Sequence, residues 1–501
     1  MVIQKCVVQR VNPSTKFHEV TGIQMFNRIP AYASVLGSAA MPLPHLLAAI
    51  GGLNGNVRKV PANSPVRDDR IDRSKINQVE ARSRFTQSQT RIDAATTRDN
   101  LRVALYSHDT MGLGHLRRNL VIASALADSS LNATSLLITG AHEANFFSLP
   151  ARADFLTLPR LHKNTVGAYS AGKLDISVDD LISLRANSIC SALASFRPDV
   201  LVVDKVPLGA FGELLPALRF LRNRGNVKCV LGIRDVLDDA KMVRAETDNR
   251  TIQTAIEEYY DEIWVYGDQR VYDPIVEYEW PECVETKVKF TGYLDQSQRL
   301  RKRTKECSDS QSASCASSQR LIVCTLGGGQ DGFAVAKAFV EALPREGVSG
   351  ILLTGPFMPK AEAAYINQIA LGRPNLLVQE FNSEADSLIS RADSVVTMGG
   401  YNSVCSVLSF GKRALVVPRV VPRKEQLVRA ERLSQLGLID LLHPDQLNTS
   451  AMHDWLAAEI VSPPKSSEMI DMCGLERVEQ YCANLVCRPI QPQAVYSMET
   501  T

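Results

Sequence analysis

The residues of this chain best placed to do chemistry are glycines. Met398-Gly399-Gly400-Tyr401-Asn402-Ser403 joins an apolar run to a helix-length segment, and Val416-Val417-Pro418-Arg419 and Glu425-Gln426 follow it. Two glycines between a strand and a helix present unpaired backbone N–H groups and a helix N-terminus, which suit a phosphate in an α/β sheet. The same grammar occurs twice more. Val103-Ala104-Leu105-Tyr106 runs into Gly112-Leu113-Gly114-His115 and a helical segment from Leu116 to Leu126, and Leu321-Ile322-Val323-Cys324 runs into Gly327-Gly328-Gly329-Gln330. The pattern points to a nucleotide-type ligand and to two Rossmann-like domains facing a shared cleft.

Turns of this kind need sheets behind them. From Leu101 onward, short apolar runs (Ser135 to Thr139, Val200 to Val203, Cys229 to Ile233, Ile263 to Tyr266) are separated by helix-length segments, the signature of a parallel sheet with helices on both faces. Thr291-Gly292-Tyr293-Leu294-Asp295 closes that half, and the charged, serine-rich stretch Arg299 to Gln319 reads as a linker or surface insertion. Leu321 to Leu326, Gly350 to Thr354, Leu376 to Gln379, Ser394 to Met398 and Ala414 to Val417 repeat the pattern without repeating the sequence. The predicted fold class is α/β. An extension over 1–100 precedes an N-terminal Rossmann-like domain over 101–298, the linker over 299–319, a C-terminal Rossmann-like domain over 320–490 and a tail over 491–501.

Length and charge agree with this. A chain of 501 residues exceeds the roughly 250–300 at which a single core stops growing. A formal net charge of +2 with 22% charged residues makes no large basic field, so nucleic acid is not an expected partner. The 11 cysteines are scattered with no Cys-x-x-Cys pair, which argues against a zinc knuckle and reads as a reduced, cytoplasmic chain. Arg58 to Asn100 is too polar to offset chain entropy by burial and is expected to be disordered. Ile29 to Val57 is uncharged, but Pro42, Pro44 and His45 interrupt it, so it reads as a loose or targeting-like segment rather than a span of about 20 apolar residues.

A resemblance rests on Gly112-Leu113-Gly114-His115 with Asn119, Gly327-Gly328-Gly329-Gln330, Glu380-Phe381, Ser390-Arg391-Ala392-Asp393 running into Gly399-Gly400, and Pro418 spaced from Gln426 and Ala430. Over Leu101 to about Leu442 these residues resemble the MurG-like glycosyltransferases, most strongly in the second half. Gly399 to Arg419 with Arg429-Ala430, Asp204 with Pro207 and Glu213, Gly232-Ile233-Arg234-Asp235 and Tyr266-Gly267-Asp268 resemble more narrowly a bacterial group described as predicted glycosyltransferases. The resemblance implies the GT-B fold and an inverting transfer of a hexose or N-acetylhexosamine. The donor, a nucleotide-diphosphate sugar, would lie in the C-terminal domain, and a glycan, lipid-linked or small-molecule acceptor against the N-terminal one. It further implies a cytoplasmic enzyme with possible peripheral contact at the inner membrane face, no cofactor and no metal.

On this likeness Gly112, Gly114 and Asn119 form the acceptor-side loop, and His115 can take the acceptor's proton at neutral pH. Asp109 on the same loop is a candidate to orient that imidazole, to serve as the base itself, or to stabilise the turn. The helix N-termini after Gly327, Gly328 and Gly329 and after Gly399 and Gly400 offer N–H groups to the diphosphate. Arg419 adds charge, Phe381 and Asn382 match positions that meet the base, and Gln330 and Gln426 lie near the donor sugar, with Asn402 and Ser403 in the same set. One position departs from the pattern. Where the family has a glutamate that grips the ribose hydroxyls this chain has Ser406, so the clamp is weakened or passes to Asn402 or Glu425, and Asp331 sets a carboxylate beside a phosphate turn. The alternatives are a nucleotide-sugar 2-epimerase, whose ordered acidic residues are not found here, and a catalytically weakened nucleotide-sugar-binding protein. An NAD-dependent oxidoreductase would use Gly112-x-Gly114, yet Arg117 stands where its third small residue belongs.

Overall fold

A computed structural model describes residues 100–109, 113–163, 169–247, 250–297, 319–460 and 465–486, all within the compact unit Thr97–Thr501. The expectations for 1–99, for Gly112, for nearly all of the 299–319 stretch and for the tail lie outside these residues. The strands are β1 (Arg102–Ser107), β2 (Thr134–Thr139), β3 (Ala153–Thr157), β4 (His162–Lys163), β5 (Tyr169–Ser170), β6 (Val200–Asp204), β7 (Lys228–Arg234), β8 (Glu262–Tyr266) and β9 (Val288–Phe290) in the first half. The second half holds β10 (Arg320–Thr325), β11 (Val348–Leu353), β12 (Leu376–Gln379), β13 (Ser394–Thr397), β14 (Arg413–Val416) and β15 (Asp440–Leu441).

They form a seven-stranded sheet, β3-β2-β1-β6-β7-β8-β9, and a six-stranded sheet, β12-β11-β10-β13-β14-β15, with β4 and β5 paired separately as a short antiparallel ribbon. Both large sheets are parallel throughout. In each the strand order runs outward from the first strand and then reverses, the doubly wound Rossmann topology, and the chain is an α/β protein with two such sheets. Ligands of this topology bind beyond the carboxyl ends of the strands at the reversal. Those points are β1/β6 and β10/β13, and the three glycine turns follow β1, β10 and β13.

Burial explains the strands. β6 is buried at every position, as a central parallel strand covered on both faces must be. Alternate side chains of β1 serve opposite layers. Val103 and Leu105 pack with Leu116 and Leu120 of the Gly114–Asp128 helix, whereas Ala104 and Tyr106 pack with Ile189 and Leu193 of the Val178–Phe196 helix. In the second sheet Ile322 and Cys324 face Phe339, and Val323 shares the opposite layer with Val404 and Leu408. Strands β3, β9 and β15 were not expected. They are edge or near-edge strands, and β9 and β15 have only three and two residues, too short to show a period.

The last helix, Gly474–Leu485, returns to the first sheet. Tyr481 donates to Phe290 O at 2.9 Å, Arg477 to Thr291 O at 2.8 Å, and Glu479 accepts from Ser130. Its Val478, Cys482 and Ala483 join the core layer that also holds Leu116 and Val404, so one apolar layer runs through both halves. No helix among the described residues is long and apolar enough to cross a membrane.

Candidate functional site

At the first reversal, β1 ends at Ser107 and β6 at Asp204, so the start of the Gly114–Asp128 helix sits beside the Asp204 carboxylate. His115 Nδ1 lies 3.1 Å from Asp204 Oδ1. Arg118, one turn further along the helix, grips the same carboxylate through Nε at 3.0 Å and Nη2 at 2.5 Å. Burial alone would raise the Asp204 pKa, but the charges of Arg118 and His115 outweigh it and hold the carboxyl well below its ordinary value. Arg118 Nη2 also lies 3.1 Å from His115 Nδ1; in the tautomer that donates Nδ1–H to Asp204, the imidazole carries its lone pair on Nε2. Asp204 thus stands at the orienting position proposed for Asp109.

Asp109 has other work. It is 4% exposed, and its Oδ2 accepts from the hydroxyls of Ser107 and Thr139; burial raises its pKa, although His115 pulls the other way. It has a positive φ of 37°, so it does shape the turn. His108 lies with its ring 5.1 Å from that of His115. Burial, then the charges of His115 and Lys205, push it down to about 3. Asn119 is 1% exposed, and neither amide atom has a hydrogen-bond partner.

At the second reversal the Gly327–Gly329 turn folds against the segment after β11. Gly327 and Gly329 have φ of +64° and +86°, and a Cβ on Gly329 would meet Thr354 O at 1.9 Å. Gly332 precedes the Phe333–Ala342 helix, and Gly400 the Tyr401–Ser409 helix, each without a side-chain cap; the first-turn N–H groups are left for another acceptor. Gly399 has φ of +76° with Val416 packed where a Cβ would project. Ser403 and Ser406 lie on the buried side of that helix. Ser406 donates to Asp386 Oδ1 at 2.6 Å, and Asp386, on the Ala385–Arg391 helix, also takes Arg117 Nη2 of the first half at 3.2 Å. Asn402 donates to Gly114 O at 2.8 Å, and Glu425 accepts from Arg419 at 2.7 Å, so neither residue named as a substitute ribose clamp stands without a protein partner.

Further donor-side residues are tied to one another. Arg419 N donates to Gln426 Oε1 at 2.9 Å, and Arg419 Nη1 to Asp331 at 3.1 Å. Asn382 accepts from Glu384 N at 2.8 Å. Phe381 packs edge-on to Phe147 of the first half, with ring centroids 5.6 Å apart. Gln330 and Asp331 are exposed on the glycine turn. A shallow cleft with room for about 10 Å³, roughly one water, lies between Arg117, Leu120 and Phe147 on one side and Ser383 and Asp386 on the other.

The end of β7 and the turn after β13 are stapled together by a buried ion pair. Arg429 of the Glu425–Gln435 helix, 0% exposed, binds Asp235 just beyond β7 through Nε and Nη2 at 2.7–3.0 Å and donates Nη1 to Gly399 O at 3.1 Å. Tyr293 donates to the same carboxylate at 3.0 Å. Asp204, Arg234, Asp235 and Arg429 belong to the resemblance without a role there, and neither Arg118 nor Asp386 is part of it. The available signal was a charged residue at the carboxyl end of an apolar strand, as in Asp204 and Arg234-Asp235.

No family model matches the chain, and no curated protein matches it. Among solved structures it is similar to CalG4, the calicheamicin glycosyltransferase (16% identity, 77% of this chain and 99% of that one, TM-score 0.49), and to MurG of Acinetobacter baumannii (12%, 77% and 99%, 0.44). It is also similar to the UDP-GlcNAc 2-epimerase of Neisseria meningitidis (11%, 77% and 99%, 0.45). Each score lies below 0.5, and the two-sheet fold rests on the chain's own strand order.

Proposed function

We propose that this chain is a glycosyltransferase of the GT-B type, moving a hexose or N-acetylhexosamine with inversion from a nucleotide-diphosphate sugar to a glycan, lipid-linked or small-molecule hydroxyl, without a metal or other cofactor. The observation that carries the reading is the hydrogen bond from Asn402 to Gly114 O at 2.8 Å. It sets the helix that follows the Gly399-Gly400 turn against the helix start that bears His115, an imidazole backed by a buried carboxylate. In this reading His115 Nε2 takes the acceptor proton while Asp204 stabilises the imidazolium. N–H groups of the Gly327–Gly329 turn and of the Phe333 and Tyr401 helices, with Arg419, meet charge on the departing diphosphate. Phe381 lies beside the base.

A second reading, a nucleotide-sugar binder of weakened activity, is favoured by one observation: Arg419 is engaged by Asp331 and Glu425. Thermal stabilisation by UDP-, GDP- and dTDP-sugars, with NAD and NADP as controls, tests both. A ligand at a hundred times its Kd adds about 2.7 kcal/mol. No stabilisation by any nucleotide sugar refutes both readings; stabilisation without glycosylated product in an acceptor screen leaves only the binder, and a 2-epimer product identifies an epimerase.

A further inference from the structure

Four side chains of alternating charge link the glycine turn after β10 to the end of β7. Asp331 Oδ2 accepts from Arg419 Nη1 at 3.1 Å, Arg419 Nη2 donates to Glu425 Oε1 at 2.7 Å, and Arg234 Nη1 lies 3.9 Å from that same oxygen. The two ends of this row differ. Asp331 is 44% and Arg419 25% exposed, a solvent-screened pair of little net strength. Glu425 is 3% and Arg234 16% exposed, and Arg234 Nε, Arg419 Nε and Glu425 Oε2 are buried atoms without a hydrogen-bond partner.

This arrangement makes Arg419 easy to redirect. Its contact with Asp331 is weak because water competes for both groups, and its Nε has donor capacity to spare. Its contact with Glu425 is stronger, and a buried carboxylate cannot lose its only cation without a large penalty. Glu425, however, has a second guanidinium in Arg234, contributed by the other half of the molecule. Burial pulls Arg234 down to about 10 against the support of Glu425, which marks it as a cation with less compensation than its surroundings require.

We propose that Asp331 is a built-in competitor for Arg419: a nucleoside diphosphate on the glycine turn takes its place, and Arg234 keeps Glu425 compensated when Arg419 turns to the phosphate. This rests on the reading that the Gly327–Gly329 turn receives the donor diphosphate. Asp331 adjoins Gly332 and shares the turn with Gly327 and Gly329, so its carboxylate can swing outward without disturbing a packed side chain. The like charge it otherwise keeps beside the ligand makes that movement favourable once the diphosphate is bound.

Asp331→Asn keeps the size of the side chain and removes its charge. Calorimetric titration with UDP, GDP and dTDP, with the parent nucleosides read by competition, is expected to show a Kd for the preferred diphosphate about three- to ten-fold lower than in the wild type, with the nucleoside unchanged. Arg234→Met is expected to weaken the diphosphate and leave the nucleoside unchanged. An equal or higher diphosphate Kd in Asp331→Asn overturns the competitor while leaving the transferase reading intact, and an unchanged Kd in Arg234→Met overturns the role of Arg234. Binding of no nucleoside diphosphate by wild type or variant refutes the transferase reading, and this inference with it.

Discussion

Removing the imidazole and removing the carboxylate behind it should have different signatures, and the difference follows from what each side chain touches. His115 has 15% of its side chain exposed and contacts Asp204 and Arg118, which bind each other at 2.5 Å without it. His115→Ala therefore leaves no buried charge unpaired and should cost stability on the scale of one hydrogen bond, about 1 kcal/mol. A positioned base contributes about 10²–10⁴-fold to turnover, and kcat should fall by that factor with the donor Kd unchanged. Asp204→Asn strands the guanidinium of Arg118, 2% exposed, without its counter-charge, which costs about 3–5 kcal/mol, and it also replaces the charged acceptor beside Nδ1 with a neutral amide that no longer stabilises the imidazolium. Both turnover and stability should fall. The assay pairs product formation from the stabilising nucleotide sugar with urea unfolding followed by tryptophan fluorescence, for which Trp264 is fully buried. His115→Ala turning over within ten-fold of wild type refutes the base assignment; His115→Ala as unstable as Asp204→Asn refutes the separation of roles.

Three other outcomes follow from the same geometry. His108 is held down to about 3 against 6.5 by burial, so between these values the unfolded chain binds the extra proton; stability is full above about pH 6.5 and falls toward pH 3 by up to about 5 kcal/mol, and His108→Asn should flatten that acid limb in pH-dependent denaturation. Gly329→Ala combines a φ of +86° with a Cβ 1.9 Å from Thr354 O, whereas Gly327→Ala has φ of +64° and open space; Gly327→Ala should cost about 1–2 kcal/mol and Gly329→Ala clearly more, with diphosphate binding lost in titration, and equal unfolding midpoints for the two would contradict the turn geometry. Arg429→Met leaves the buried Asp235 carboxylate with the Tyr293 hydroxyl and the Val236 N–H but no counter-charge beside it, an expected loss of about 3–5 kcal/mol, and a double-mutant cycle with Asp235→Asn should recover part of it; additive losses would show that the staple is not a pair.

The features that could be read from the chain alone depend on near neighbours in it. Gly399, Gly327 and Gly329 adopt positive φ where a strand must turn sharply into a helix, and the apolar runs at Val103, Val200, Cys229, Leu321, Ser394 and Ala414 became parallel strands because a strand covered on both faces must be continuously apolar. Glycine conformation and hydrophobic runs are local, so they are legible in one dimension. Which charges meet depends instead on how the sheets pack. Asp204 reaches Arg118 from 86 residues away, Asp235 reaches Arg429 from 194, and Asp386 reaches Arg117 from 269. Such partners carry no periodicity, and any Asp could in principle have faced any Arg. The sheets choose among them by bringing the carboxyl ends of β6 and β7 to the turns that follow β1 and β13. That choice set Asp204 rather than Asp109 against His115, turned Ser406 to Asp386, and placed Asp331 on Arg419.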